Sequence, residues 1–312
     1  MANSVMNCGT IPSWFVFLLS IMPCMQLLAA TWAVGAPHEI CVTDDSSRQV
    51  CLPRACQRVV SFAPSLTEIV FLLGAADLLV GKTQRCNHPR EASKIPDVGA
   101  YMKPDLERVI GVRPDLVITT NDGARPEMVE RLSRLGIVVF VDDSRSLDHV
   151  GNLVERLGRL LGRDSEARGI VRDFERRRNE LRRLVQGASK PTVVFAVGSR
   201  PLVVAGGKSF IGSLIREAGG TNIAEDESIP FLRFSIEEVI RQDPDLVLVL
   251  DKECHDEECR AEWRRHEMLK AVREGNVFPL DADLMARCTP RIIDGLEQLA
   301  RLFHPGLFTQ GK

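Results

Sequence analysis

Four clusters of polar and aromatic side chains follow segments of the chain that are predicted to be strands. Open α/β sheets bind ligands at the carboxyl ends of their strands, so we expect these clusters to meet at one site. They combine aromatic faces with a few charges, which suits a bulky, partly apolar small molecule. The candidate ligand-binding residues are Arg85, Cys86, His88, Tyr101, Phe231, Arg233, Asp283 and Arg287.

Motifs of catalysis are missing from the sequence. The six histidines never occur in the His-Glu-x-x-His spacing, and there is no Gly-x-Ser-x-Gly elbow. Gly206-Gly207-Lys208-Ser209 lacks the earlier glycine of a phosphate-binding loop, because Leu202 stands there, so it predicts a turn into a helix from Phe210. We therefore expect no enzymatic activity, no cofactor and no resident metal. Ligation of a metal by Cys86 and His88 is the alternative to a buried thiol at Cys86.

The first thirty-six residues contain no Asp, Glu, Lys or Arg and are mostly apolar from Trp14 onward. This composition predicts an export signal over residues 1–36 and hence an exported protein. Because no Lys or Arg precedes the apolar stretch, a retained membrane anchor is the alternative. Cys24 is a poor candidate for lipid attachment, since Ile21-Met22-Pro23 lacks the small residues of such a cleavage site.

Seven cysteines follow the signal, and an exported compartment favours their oxidation. Cys41 and Cys51 flank a polar turn between two short strand-like runs, so residues 37–57 predict a disulfide-bonded hairpin. Cys254 and Cys259 flank an acidic loop. We expect a second disulfide there, because one histidine and two cysteines make an incomplete metal site.

A pattern that occurs twice along the chain predicts two α/β lobes. Leu106–Ile110 is followed by Pro114-Asp-Leu-Val117, and Ile236–Ile240 is followed by Pro244-Asp-Leu-Val247. Each copy predicts a short helix and then a buried strand. We expect Rossmann-like α/β lobes at residues 58–145 and 189–312. Helical periodicity over residues 146–188 predicts a helical connector in which one long rigid helix joins the two lobes.

The charge of the chain does not indicate a nucleic-acid partner. Net charge is −2, and the basic run from Arg172 to Arg183 is interleaved with acidic residues, so no nucleic-acid surface is expected.

Ser65 and Glu68 have the spacing of a capping box at the start of a helix. Ser235 pairs in the same way with Glu238, which leaves Glu237 facing outward.

From Arg58 to about Pro305 the chain resembles the helical-backbone family of periplasmic binding proteins that serve importers of cobalamin, ferric siderophores and haem. Its cobalamin-binding members are the most similar. The resembling stretches are Arg58–Glu68, Asp105–Val117, Gly206–Ile223 and Pro290–Leu296.

The resemblance implies a periplasmic monomer that holds its ligand between the lobes and delivers it to an ABC permease dimer with a cytoplasmic ATPase. Tyr101 and Phe231 match aromatic residues of the cobalamin binders, and Asp283 and Arg287 match their polar pair. Arg85 replaces a tyrosine, and an arginine there favours an anionic chelate. Glu68 and Glu237 match the glutamates that dock to the permease.

Cobalamin is the expected ligand, and a ferric siderophore or haem is the alternative. Two alternatives from other classes are a metal-dependent hydrolase and a membrane-anchored receptor or scaffold without a small ligand.

Overall fold

The computed structural model of the protein describes residues 39–143, 146–251 and 261–308. The predicted signal segment and the predicted Cys254–Cys259 disulfide lie outside these residues. In the described part of the chain, no helix combines the length and apolar character needed to cross a bilayer.

An N-terminal hairpin precedes the first lobe. Strands β1 (Ile40–Thr43) and β2 (Gln49–Leu52) pair antiparallel, with Cys41 opposite Cys51. These two cysteines form a disulfide, as the sequence predicts. Val42, Val50 and Leu52 are buried in the core of the first lobe, so the hairpin is an integral part of that lobe.

The N-terminal lobe is built on a parallel four-stranded sheet with the strand order β4-β3-β7-β8. Hydrophobic cores cover both of its faces, as a parallel sheet requires. Its elements are β3 (Val59–Ser61), α1 (Pro64–Leu72), β4 (Leu79–Lys82), β5 (Gly99–Ala100), β6 (Lys103–Pro104), α2 (Leu106–Gly111), β7 (Leu116–Thr120), α3 (Pro126–Arg134) and β8 (Val138–Asp142).

Two packed helices, rather than one, connect the lobes. They are α4 (Leu147–Leu161) and α5 (Asp164–Val185), and the chain reverses between them at Gly162, whose φ is 66°. Leu147 of α4 belongs to the core of the C-terminal lobe, while Leu157 belongs to that of the N-terminal lobe. Because α5 returns across the same boundary, the connector is doubled, and large free motion of the lobes is not expected.

The C-terminal lobe contains a six-stranded mixed sheet with the order β12-β10-β9-β13-β14, and β11 pairs with the start of β9. Its two faces are also covered by separate cores. The elements are β9 (Thr192–Ser199), β10 (Leu202–Ala205), α6 (Phe210–Glu217), β11 (Thr221–Asn222), β12 (Phe231–Arg233), α7 (Ile236–Gln242), β13 (Leu246–Asp251), α8 (Lys270–Arg273), β14 (Val277–Asp281), α9 (Ala282–Met285) and α10 (Ile292–Phe303).

The repeated sequence pattern has the same structure in both lobes. Helices α2 and α7 each end before a non-glycine residue with positive φ, Arg113 (46°) and Asp243 (42°), which directly precedes the proline of the pattern. The following aspartate then accepts a backbone hydrogen bond at the start of a strand: Asp115 from the amide of Arg58, just before β3, and Asp245 from that of Thr192, the first residue of β9. The predicted pair of α/β lobes is therefore confirmed.

Candidate functional site

Two adjoining cavities of about 430 and 620 Å³ lie between the lobes. Both are lined by Ser65, Tyr101 and Asp122 of the N-terminal lobe and by Ala286 of the C-terminal lobe. They therefore form one continuous space, which we call the interlobe cleft. It lies where the strand ends of both lobes face each other.

Tyr101 lies at the centre of the interlobe cleft, in the turn between β5 and β6. Its hydroxyl donates a hydrogen bond to Asp122 Oδ2 at 2.8 Å and lies 3.4 Å from Thr120 Oγ1. Burial raises the pKa of Tyr101 to about 12, and the neighbouring Asp122 carboxylate acts in the same direction. The side chain is thus a protonated phenol at neutral pH, with its ring available for stacking.

The aromatic candidate from the other lobe, Phe231, lines the 430 Å³ cavity, and half of its side chain is exposed. An apolar ring in this position is suited to covering a ligand. Arg233, two residues further along β12, is exposed and lines neither cavity. The structure therefore brings Phe231 to the interlobe cleft but not Arg233.

Asp283 and Arg287 line the 620 Å³ cavity and form an ion pair of 2.7 Å. Both are also bonded to Asn87 of the opposite lobe: its amide donates to Asp283 Oδ2, and its oxygen accepts from Arg287 Nη2. Asn87 was not selected from the sequence, although it lies between two candidates. Hydrogen bonds of Asn87 with Asp283 and Arg287 therefore connect the N-terminal and C-terminal walls of this cavity.

The cluster after β4 contributes one of its three candidates. Arg85 is exposed and lines the 620 Å³ cavity. Cys86 is buried, with its Sγ 3.5 Å from Thr83 Oγ1, and His88 is exposed; neither lines the interlobe cleft. Of the two interpretations that the sequence allows for Cys86, the structure favours a buried thiol, because the side chain does not line the interlobe cleft.

Acidic side chains outnumber basic ones in the interlobe cleft. The cations are Arg85, Lys208 and Arg287, of which Arg287 is already paired with Glu68 and Asp283. Sequence reasoning missed Lys208 and most of the acids, although several follow strands as the selected clusters do. The carboxylates that line the cleft are Asp122, Asp142, Asp143, Asp281 and Asp283.

Glu68 is not the exposed carboxylate that the sequence predicts. Helix α1 begins at Pro64 without a side-chain cap, so Ser65 does not cap it and instead lines the interlobe cleft. Glu68 is 2% exposed and accepts hydrogen bonds from Arg287 and Arg291 of the C-terminal lobe. A carboxylate buried in this way is not available to a permease, and the docking assignment of Glu68 is withdrawn.

Glu237 is exposed, and its structural equivalent in the N-terminal lobe is Glu107. Each is the second residue of its helix, α7 or α2, and the N-cap side chain before it, Ser235 or Asp105, accepts a backbone hydrogen bond. Ser235 caps α7 as the sequence predicts. The pair of matching exposed glutamates is therefore Glu107 and Glu237.

Among the described residues, one group of three side chains lies within the distances of a shared metal ion: Glu39, Cys41 and Cys51. The two sulfurs of this group are bonded to each other, so they are not thiolate ligands. The group therefore does not form a metal site.

The model of the periplasmic binding protein family matches residues 59–284, which is most of the chain. The chain belongs to the periplasmic binding protein family. This match also agrees with the resemblance found in the sequence. The protein is accordingly a solute-binding protein of an ABC importer, which works with a permease and an ATPase, and not an enzyme.

Individual periplasmic binding proteins resemble it over nearly their whole length. The vitamin B12-binding protein of Vibrio parahaemolyticus is 27% identical over 79% of this chain and 89% of its own. The structure of the vitamin B12-binding protein BtuF of Vibrio cholerae has a TM-score of 0.72 at 25% identity, covering 83% of this chain and all of that one. A haem-binding protein from Pseudomonas aeruginosa has a TM-score of 0.73 at 27% identity, covering 80% and 93%. These relatives bind different chelates, so the ligand has to be argued from the interlobe cleft.

Proposed function

We propose that the protein captures cobalamin or a related corrinoid in the interlobe cleft and delivers it to the permease of its importer from the periplasmic side of the membrane. The observation that carries this proposal is the charge of the interlobe cleft, whose lining has five carboxylates and three cations. A corrin has a rim of uncharged amides whose N–H groups donate hydrogen bonds, and carboxylates are strong acceptors. The aromatic rings of Tyr101 and Phe231 fit its apolar faces.

The same charge distribution disfavours an anionic chelate. A ferric siderophore needs two or more cations that converge on it. Arg287 is paired with Glu68 and Asp283, while Arg85 lines one cavity and Lys208 lines the other. The two remaining cations therefore do not converge, and the carboxylates around them would repel the ligand.

Haem is the second candidate because of Tyr101. Phenolate oxygen is an established type of haem ligand, and Tyr101 lines both cavities of the interlobe cleft. Its hydrogen bond to Asp122 gives the carboxylate that would receive the phenol proton. The excess of carboxylates opposes the two haem propionates, which ranks haem below a corrinoid.

A binding panel tests the proposal. Purified protein is titrated with cyanocobalamin, dicyanocobinamide, haemin, a ferric hydroxamate and a ferric catecholate, by calorimetry and by thermal unfolding. A ligand at 100 times its Kd stabilises the folded state by about 2.7 kcal/mol. We expect this stabilisation with the corrinoids and not with the siderophores. Binding of a siderophore alone would overturn the proposal, and haemin binding that is lost in Tyr101→Phe would establish the second candidate.

A further inference from the structure

The turn of the N-terminal hairpin lies along the free edge of β8. This strand pairs with β7 on one side, and its other side faces the turn. Arg48 Nη2 donates to the carbonyl of Val139 at 3.2 Å, and Asp44 Oδ2 accepts from the amide of Val141 at 3.3 Å. The amide of Asp45 donates to the carbonyl of Val141 at 3.1 Å. The turn thus takes the place of a neighbouring strand.

The Asp45 side chain contacts the backbone just beyond the end of β8. Its Oδ2 accepts from the amide of Asp143 at 2.8 Å. Arg156 of α4 holds the same carboxylate from the other side, with Nη1 2.7 Å from Oδ1 and Nη2 3.2 Å from Oδ2. Burial alone would raise the pKa of Asp45, but the bonds from Arg156 and from the Asp143 amide outweigh burial and lower it. Asp45 is therefore an ionised group fixed by two elements.

The backbone that Asp45 holds belongs to the wall of the interlobe cleft. Asp142 ends β8, Asp143 follows it, and both line the 430 Å³ cavity. Arg156, which holds Asp45, is also 3.9 Å from Asp142 Oδ1. Asp45 itself lines neither cavity. The hairpin precedes the stretch matched by the family model, which begins at residue 59.

We infer that Asp45 is a positioning residue for ligand binding: through the Asp143 amide and Arg156 it fixes the two carboxylates, Asp142 and Asp143, that the β8 end presents to the ligand. The Cys41–Cys51 disulfide holds the hairpin that carries Asp45. This inference rests on the proposed function for the identity of the ligand, but the placement of the β8 end is a property of the ligand-free protein.

The test compares Asp45→Ala and Asp45→Asn with Asp173→Asn. Asp173 is a matched control, because its carboxylate also accepts from an arginine, Arg176 at 2.6 Å, on the exposed face of α5. The Kd of dicyanocobinamide and of cyanocobalamin is measured by calorimetry well below the unfolding midpoint of each variant. We expect Asp45→Ala to raise Kd roughly tenfold, a usual effect of removing an outer-shell partner. Asp45→Asn, which keeps an acceptor for Asp143, is expected to restore part of the affinity, and the control is expected to bind like the parent.

A second arm shows whether Asp45 acts through Asp143. Asp45→Ala is repeated in an Asp143→Ala background, where its effect on Kd should be smaller, because only Asp142 then remains to be positioned. An unchanged Kd in Asp45→Ala, or an undiminished effect in the second background, would overturn the inference.

Hydrogen exchange gives a readout that needs no ligand. If neither corrinoid binds the parent, the proposed function has failed, and exchange of the Asp143 amide decides the inference instead. Faster exchange there in Asp45→Ala, with the amides of β7 unchanged, supports it. Unchanged protection of Asp143 contradicts it.

Discussion

Glu68 and Arg287 form a buried ion pair that joins the two lobes. Arg287 Nη1 donates to Glu68 Oε1 at 2.5 Å, and Arg291 donates to both oxygens of the same carboxylate. Arg287 also lines the interlobe cleft, where it contacts Asp283 and Asn87. The ion pair that joins the lobes is therefore also part of the wall of the interlobe cleft.

Removing Glu68 should destabilise the protein and weaken ligand binding. In Glu68→Ala two largely buried guanidinium groups lose their carboxylate, which costs about 3 kcal/mol in free energy of unfolding. Urea unfolding measures this loss, and calorimetry with a corrinoid measures the effect of a displaced Arg287. Glu107→Ala is the control, since an exposed glutamate should change stability by less than about 0.5 kcal/mol. A Glu68→Ala protein as stable as the parent would show that the ion pair does not tie the lobes.

Charge reversal at both Glu107 and Glu237 should impair docking to the permease. The two carboxylates are exposed at equivalent positions in the two lobes, as a two-fold partner requires. Exposed interfacial charges act mainly on encounter rate and register, so the ligand Kd should stay at the parent value. Complex formation with the permease in proteoliposomes is the measurement. Glu130→Lys, a reversal on the exposed face of α3, is the control. Normal docking of the Glu107→Lys/Glu237→Lys protein would refute the assignment.

The aromatic residues of the interlobe cleft should each contribute to affinity without supporting the fold. A stacked ring contributes about 1 kcal/mol beyond its buried area, so Phe231→Ala should weaken corrinoid binding at least fivefold. Tyr101→Phe keeps the ring and removes the hydrogen bond to Asp122, so it separates stacking from polar contact. Met268→Ala, at a residue 70% exposed, is the control for loss of a surface apolar group. Parent-like affinity in both Phe231→Ala and Tyr101→Ala would place the ligand elsewhere.

The two lobes and the hairpin could be predicted from the sequence because the residues that form each of these features lie close together along the chain. The helix, proline and strand of each repeat lie within about a dozen residues, and Cys41 and Cys51 face each other across one turn. Periodicity also predicted the connector, but only the fold shows that α4 and α5 each span both lobes.

The burial of Glu68 could not be predicted from neighbouring residues in the sequence. Ser65 and Glu68 have the spacing of a capping box, but Pro64 starts the helix one residue earlier, and Ser65 lines the interlobe cleft instead of capping the helix. The partners of Glu68 are more than 200 residues away in sequence, so no local pattern contains them. Asp122 and Lys208 were missed for a different reason. Asp122 lies just beyond β7 with no aromatic or cysteine neighbour to distinguish it from an ordinary loop residue, and Lys208 was explained as part of a glycine-rich turn into a helix.

A network around Arg178 of α5 anchors the connector to the C-terminal lobe. The Arg178 side chain is 3% exposed and donates to Asp148 of α4 and to Glu217 of α6. Burial alone would raise the pKa of Glu217, but hydrogen bonds from Arg178 and Arg182 outweigh it and hold that pKa below the ordinary value. The ionised carboxylate is therefore the form that stabilises the fold.

The pH dependence of stability follows from this lowered pKa. A carboxyl whose pKa falls on folding stabilises the protein above the unfolded-state pKa, near 4.5, and loses that contribution as the pH falls through the folded-state value. Glu217→Gln should therefore lower the free energy of unfolding at pH 7, and the difference from the parent should shrink steadily below about pH 4.5. Urea unfolding of both proteins from pH 7 to pH 3 measures it. Glu180→Gln removes an exposed partner of Arg176 and should have little effect at any pH. A Glu217→Gln deficit of the same size at pH 3 and pH 7 would mean that packing, rather than the charged network, fixes the connector to the lobe.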